Sequence, residues 1–275
     1  MKRQLSLLLV AGLASVCLAS PTSAAPAEPD RTPGAFKREA RGVTVAQRPK
    51  QAIEGQRVGI TVKVASPRQA KIVRIETRGE DIFGNPEWST LKRAMVRGRS
   101  KVRLPVVVTG LNTQVFRAVA VYKDRKAAAS KPFTVTVWRW IDLHDFDDYY
   151  STTGAYASEY STFPMNGHRY LGWQTYGDYG AWETRYTLGR HCRRMQGVFG
   201  VHDASADGSA AEISILTDDE PLFESTTLSP GSVQVVSKAM PLAYRISILA
   251  HTTSEDPSNL AYPAIGTPQF LCTGL

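Results

Sequence analysis

Between residues 43 and 138, apolar and polar positions alternate in short runs separated by Gly, Pro and Asn, and no helical period is present. The pattern predicts strands near 43–47, 57–64, 71–77, 88–96, 101–109, 114–122 and 132–138. Val58, Ile60, Val62 and Val64 share one face of a strand, as do Phe133, Val135 and Val137 on the last. Seven short strands in this space predict a β-sandwich. Residues 141–180 mix aromatic, acidic and turn residues and read as linker, loops and one or two opening strands. Alternation then resumes. Trp182, Thr184, Tyr186 and Leu188 oppose Glu183, Arg185 and Thr187, and Tyr244, Ile246, Ile248 and Ala250 oppose Arg245, Ser247, Leu249 and His251. The expected fold is all-β, with a second sandwich of jelly-roll type following the first.

The one sustained apolar stretch, Leu5 to Ala19, follows Met1, Lys2 and Arg3 and precedes the small residues from Ser20 to Ala27. That arrangement predicts a secretory signal peptide over 1–27, cleaved after Ala24 or Ala27, then a flexible spacer over 28–42. Cys17, behind the bulky Val16, leaves a lipoprotein signal as the alternative. The run is short for a bilayer span, and no later segment reaches the roughly 18 apolar residues a membrane helix needs. A secreted, extracellular or envelope-associated protein with no transmembrane segment is expected. Removal of the leader leaves Cys192 and Cys272, and in an oxidising compartment two cysteines are expected to pair.

Charge divides the chain near residue 140. From Glu28 to Trp140 there are 24 Lys and Arg against 9 Asp and Glu, net +15, whereas Ile141 to Leu275 carries 7 against 16, net −9. Two oppositely charged halves imply two domains, 43–140 and 165–275, joined by a linker over 141–164. Arg99, Lys101 and Arg103 alternate on one strand face of the basic half, with Arg57, Lys92, Arg93 and Arg97 near in sequence. Such a stripe suits an anionic polymer or phospholipid surface, or is ordinary solvated charge. Nucleic acid is not expected, given export and the lack of a nucleic-acid motif.

Catalytic patterns are few. Ser89-Thr90-Leu91-Lys92 has the Ser-x-x-Lys spacing but sits in a predicted strand without its companion motifs, and no Gly-x-Ser-x-Gly or His-Glu-x-x-His occurs. The histidines at 144, 168, 191, 202 and 251 show no ligand spacing. No catalytic residue, metal site or cofactor is assigned. Asp203, Asp207 and Glu212, or Asp218, Asp219 and Glu220, either hold a structural calcium or form solvated turns. Trp173, Tyr176 and Tyr179 lie in a loop-like stretch and are the candidate ligand-binding platform, since aromatic faces pack on sugar rings. Trp182 is expected in the core, and Trp138 and Trp140, opposite to Val137 in facing, are expected between the domains.

The segments Gln114–Val121, Ala129–Pro132 and Phe133–Val137 resemble an immunoglobulin-like or fibronectin-type module in layout, without its internal cysteine pair. Met165–Tyr170, Thr184–Gly189, Cys192, Val198–Asp203, Ile213–Asp219, Pro221–Phe223 and Phe270–Cys272 resemble the carbohydrate-binding modules of the NPCBM type. The similarity covers 165–274 and departs at Leu260–Gly266, where many members carry an aspartate-histidine-tryptophan segment. It implies a galactose-binding-like jelly roll directed at a glycan or cell-wall polymer. The expected function is a secreted, non-enzymatic binding protein, with a structural or protein-interaction scaffold without sugar binding as the alternative.

Overall fold

β-Branched and aromatic residues in strict alternation fit a pleated sheet with one buried face, and nineteen strands form among the described residues. The computed structural model describes residues 41–110, 112–152, 158–175 and 180–275. The expected leader over 1–27 and nearly all of the spacer over 28–42 lie outside them. The described residues belong to one compact unit.

The first sandwich is built from β1 (Val43–Gln47), β2 (Gln51–Ile53), β3 (Arg57–Val64), β4 (Ala70–Glu80), β5 (Pro86–Met95), β6 (Lys101–Val107), β7 (Asn112–Tyr122), β8 (Ala127–Ala129) and β9 (Phe133–Asp142). One sheet has the order β1-β3-β6, and the other runs β9-β7-β4-β5 with β2 parallel to β9. This is the layout of an immunoglobulin-like sandwich. Val58, Ile60, Val62 and Val64 bury one face of β3, and Val102, Leu104 and Val106 do the same on β6. They meet Val73, Ile75, Phe116, Ala118, Val135 and Val137 of the other sheet. Each buried Val, Leu, Ile or Phe among them contributes roughly 1.5–3 kcal/mol by leaving water. The Tyr122 hydroxyl reaches across this core, accepting from Gly42 N at 3.0 Å and donating toward Gly42 O and Ala65 O at 3.1 and 3.2 Å. On the outer face of the second sheet, Glu76 is 3% exposed and takes Arg74 and Arg117, each at 2.6 Å.

The second sandwich consists of β10 (Asp148–Ser151), β11 (Ser158–Met165), β12 (His168–Thr175), β13 (Ala181–Thr187), β14 (Cys192–Val201), β15 (Ala211–Thr217), β16 (Glu220–Glu224), β17 (Val233–Ala239), β18 (Arg245–Thr252) and β19 (Pro263–Cys272). A five-stranded sheet, β10-β13-β18-β15-β16, faces a second in which β17 pairs with β14, β14 with β19, β19 with β12 and β12 with β11. Trp173, Trp182, Phe199, Ile213, Ile215, Ile248, Ile265 and Phe270 fill the space between. Trp182 is 2% exposed, a core residue as its alternation implied. Gly172 opposes Gly266 across β12 and β19. A β-carbon at Gly266 would overlap the Tyr170 ring, so this pairing needs a residue without one. The Cys192–Cys272 disulfide forms, tying the start of β14 to the end of β19.

The stretch 141–164, read from sequence as a linker, contains the end of β9, a 3-10 turn at Leu143–Asp145, β10 and most of β11. β9 does not stop at the charge boundary. Phe133, Val135 and Val137 lie in the first core, while Ile141 and Leu143 lie in the second. Its last residues pair with β19 through Gln269↔Asp142, Phe270↔Ile141, Leu271↔Trp140 and Cys272↔Arg139. One strand therefore belongs to both sandwiches.

Candidate functional site

A cavity of about 310 Å³ opens between the two sheets of the second sandwich, lined by His144, Phe146, Asp147, Asp148, Ser151, Glu159, Tyr160, Trp173, Thr184 and Tyr186. The 3-10 turn after β9 presents His144, β10 brings Asp148 and Ser151, and β11 brings Glu159 and Tyr160. Because β12 and β13 lie in opposite sheets, Trp173 and Thr184 meet across the sandwich. The indole N–H donates to Thr184 Oγ1 at 3.0 Å. Phe146 anchors the turn from beneath, edge-on to Phe270 with centroids 5.7 Å apart.

One wall is aromatic. The His144 and Tyr160 rings stack with centroids 5.0 Å apart. Burial, and then the charges of Asp142 and Asp145, push the Tyr160 hydroxyl up to about 12. Tyr186 is raised as well, by burial first and then by Asp148 and Tyr160. Both phenols are therefore neutral at physiological pH and able to donate. The opposite character comes from carboxylates. Glu159 is held in place, accepting from Ser161 Oγ at 2.6 Å and from Gln174 Nε2 at 2.9 Å. The carboxylates of Asp147 and Asp148, both exposed, have no hydrogen-bond or ion-pair partner among the described residues. Oriented acceptors beside a ring face can take a ligand that offers hydroxyl donors and an apolar surface.

The sequence had pointed instead to Trp173, Tyr176 and Tyr179. Tyr176 and Tyr179 lie outside the described residues. Trp173 is 1% exposed, so it contributes to the cavity wall as a bridge between the sheets, not as an open platform. His144, Asp147, Asp148, Glu159 and Tyr160 were missed because they fall in the stretch read as linker. The run of acids and aromatics from 142 to 150 was the available signal. Four of the six acids considered for calcium have protein partners. Asp218 accepts from the Tyr244 and Arg245 amides at 3.0 Å each and Asp219 pairs with Arg245. Glu212 takes Thr227 and His251, and Asp203 takes the Gly167 amide. Among the described residues, no group of three or more His, Cys, Asp or Glu is arranged to hold a metal ion.

A second surface lies on the first sandwich. Inward burial of Val102, Leu104 and Val106 leaves Lys101 and Arg103 on the outer face of β6, and the same parity leaves Arg57 and Lys63 on the outer face of β3. Register sets Lys63 directly opposite Lys101 and Thr61 opposite Arg103. The Arg103 guanidinium lies over Gly59, where an added β-carbon would press on it. Arg99, exposed, stands in the turn leading into β6. No acid occupies these strands, and none of these five cations is in an ion pair among the described residues.

Trp138 and Trp140 face away from the first core, and the second sandwich covers Trp138. Arg193 of β14 lies 4.0 Å from the Trp138 ring centroid, and both it and the indole N–H bond Gln51 Oε1, at 2.7 and 3.1 Å. Burial, and then Arg194, lower the Arg193 pKa from its usual value, and the cation–π contact offsets part of that desolvation.

No family model matches the chain, including any for the module that residues 165–274 resemble. No curated protein matches it either. Among solved structures, the chain is similar to CBM51-2 with the INT domains of Clostridium perfringens ZmpB in complex with GlcNAc, at 11% identity and TM-score 0.40, over 60% of this chain and 38% of that one. It thus spans less than half of that structure. CBM51 from Clostridium perfringens GH95 in complex with methyl-galactose is similar at 15% identity and TM-score 0.37, over 48% of this chain and 99% of that one. The fibronectin(III)-like modules of Clostridium thermocellum CbhA are similar at 12% identity and TM-score 0.27, over 84% and 94%. Likenesses this distant assign neither a ligand nor a site.

Proposed function

We propose that the protein is an exported, non-enzymatic binding protein whose second sandwich takes a neutral carbohydrate in the cavity between His144, Asp148, Glu159 and Tyr160. The observation that carries the reading is the pairing of the stacked His144–Tyr160 wall with the Asp147 and Asp148 carboxylates, which have no partner among the described residues. Sugar hydroxyls donate to carboxylates, and the apolar faces of sugar rings pack on aromatic rings. The cavity volume of about 310 Å³ falls in the small-molecule range. The leader-like start and the Cys192–Cys272 bridge support an oxidising, extracytoplasmic location.

The test is titration calorimetry of the full chain against a panel of neutral mono- and oligosaccharides, alongside an Asp147→Asn, Asp148→Asn variant. At least one sugar is expected to bind, and the variant to bind it about tenfold more weakly or worse, as hydrogen bonds to charged acceptors are lost. Failure of every sugar to bind would overturn the reading. The alternative, a scaffold for another protein, has one observation of its own. Trp173 is spent as an inter-sheet bridge, which removes one aromatic from the sugar platform expected from sequence. Unchanged sugar binding in the double variant would place the ligand elsewhere.

A further inference from the structure

We propose that the outer face of the β1-β3-β6 sheet, centred on Lys63, Lys101 and Arg103 with Arg57 and Arg99 at its ends, is a docking surface for a linear acidic polysaccharide. The inference is independent of the cavity in the second sandwich.

Like charges directly across a sheet destabilise it, yet Lys63 and Lys101 oppose each other with no acid on either strand to neutralise them. Four cations elsewhere in the same sandwich are paired with acids. Arg41 meets Asp124, Arg74 and Arg117 share Glu76, and Arg139 faces Glu54. On this face no strand carries an acid. The repulsion is relieved once a polyanion lies on it. Geometry favours a linear one. Residues two apart on a strand repeat at about 6.8 Å, so Lys101 and Arg103 form a row along β6 with Arg99 in the turn before it, and Lys63 and Arg57 form a second row about 4.8 Å away on β3. Arg103, lying across Gly59, joins the two rows.

The chemistry of the face distinguishes among polyanions. None of its three strands carries an aromatic ring on which a nucleic-acid base could stack. Its exposed apolar side chains, Pro105 and Val107, are too small to anchor it in a bilayer. The exposed pair Ile82 and Phe83 stands instead at the tip between β4 and β5, in the other sheet. A chain of carboxylates or sulfates requires only regularly placed cations, which this face supplies.

The experiment measures retention of the full chain on immobilised heparin and on polygalacturonate as salt is raised, beside single-stranded DNA and anionic phosphatidylserine vesicles. The wild type is expected to bind the acidic polysaccharides, and to release with a steep salt dependence. A Lys63→Ser, Lys101→Ser, Arg103→Ser variant should lose affinity by about tenfold or more at low salt. A Lys92→Ser, Arg93→Ser variant should retain it, since those cations lie on β5 of the other sheet. Equal losses in the two variants would show that only net charge matters and overturn the proposal. So would an unaffected triple variant, or tighter binding to DNA or vesicles than to either polysaccharide.

Discussion

Substitution of Trp173 by alanine separates a structural role from a binding role. The side chain is 1% exposed, lies in the core of the second sandwich and donates from its indole N–H to Thr184 Oγ1 at 3.0 Å. Removing a buried tryptophan of this kind costs about 3–5 kcal/mol from lost transfer energy and the cavity left behind. The lost hydrogen bond is part of that figure, at about 1 kcal/mol. With a urea m-value of about 2 kcal/mol/M for a domain of this size, a loss near 4 kcal/mol moves the midpoint by about 2 M. Urea unfolding followed by far-ultraviolet circular dichroism reads the shift directly. A Trp173→Phe variant, which keeps most of the volume, should recover more than half of it. An unchanged midpoint combined with lost sugar binding would refute this reasoning and make Trp173 a ligand-contacting residue.

Replacing Cys192 and Cys272 together by alanine removes a cross-link whose sequence separation is 80, for which the chain-entropy relation gives about 4.5 kcal/mol. Comparing the urea midpoint of this variant with the wild type, with and without reductant, checks the figure, and reductant should affect only the wild type. At alkaline pH the direction follows from Tyr160. Its folded value of about 12 lies above the unfolded value of 10, so between those limits the unfolded chain releases a proton that the folded chain keeps. The stability it contributes is full below pH 10 and declines as pH rises toward 12, and Tyr186 acts in the same direction. Unfolding midpoints across pH 9 to 12 should fall more steeply in the wild type than in Tyr160→Phe.

Most strands could be read from the chain because burial on one face writes a period of two into the residues. The runs at 57–64 and 101–109 match β3 and β6 closely, and both show strict inward and outward alternation. The three-residue strands β2 and β8 were illegible, since three residues cannot establish a period. The course of β9 past Trp140 was hidden for a different reason. The change of net charge suggested a boundary there, but charge sits on the outside of a strand and hydrogen bonding does not depend on it. The pairing of Leu271 with Trp140 is set by a strand more than a hundred residues away. The candidate cavity was illegible on the same ground. His144 and Tyr160 stack only because the turn after β9 and the middle of β11 are brought together in space. Their neighbours in sequence carry aromatics and acids in no period at all.

The position of β19 bears on synthesis. Its ten residues pair with β14 along one edge and with β12 and β9 along the other, so the strand made last in this sandwich lies in the interior of its sheet. A ribosome-bound chain that has extended only to residue 260 holds every other strand of the second sandwich and cannot close any of those three ladders. Closure waits for a contact of long range, which slows folding. The second sandwich is locked by its disulfide only once Cys272 has been made and lies beside Cys192. A stop within the codons for Pro263–Cys272 would remove part of the middle of a sheet and not its fringe.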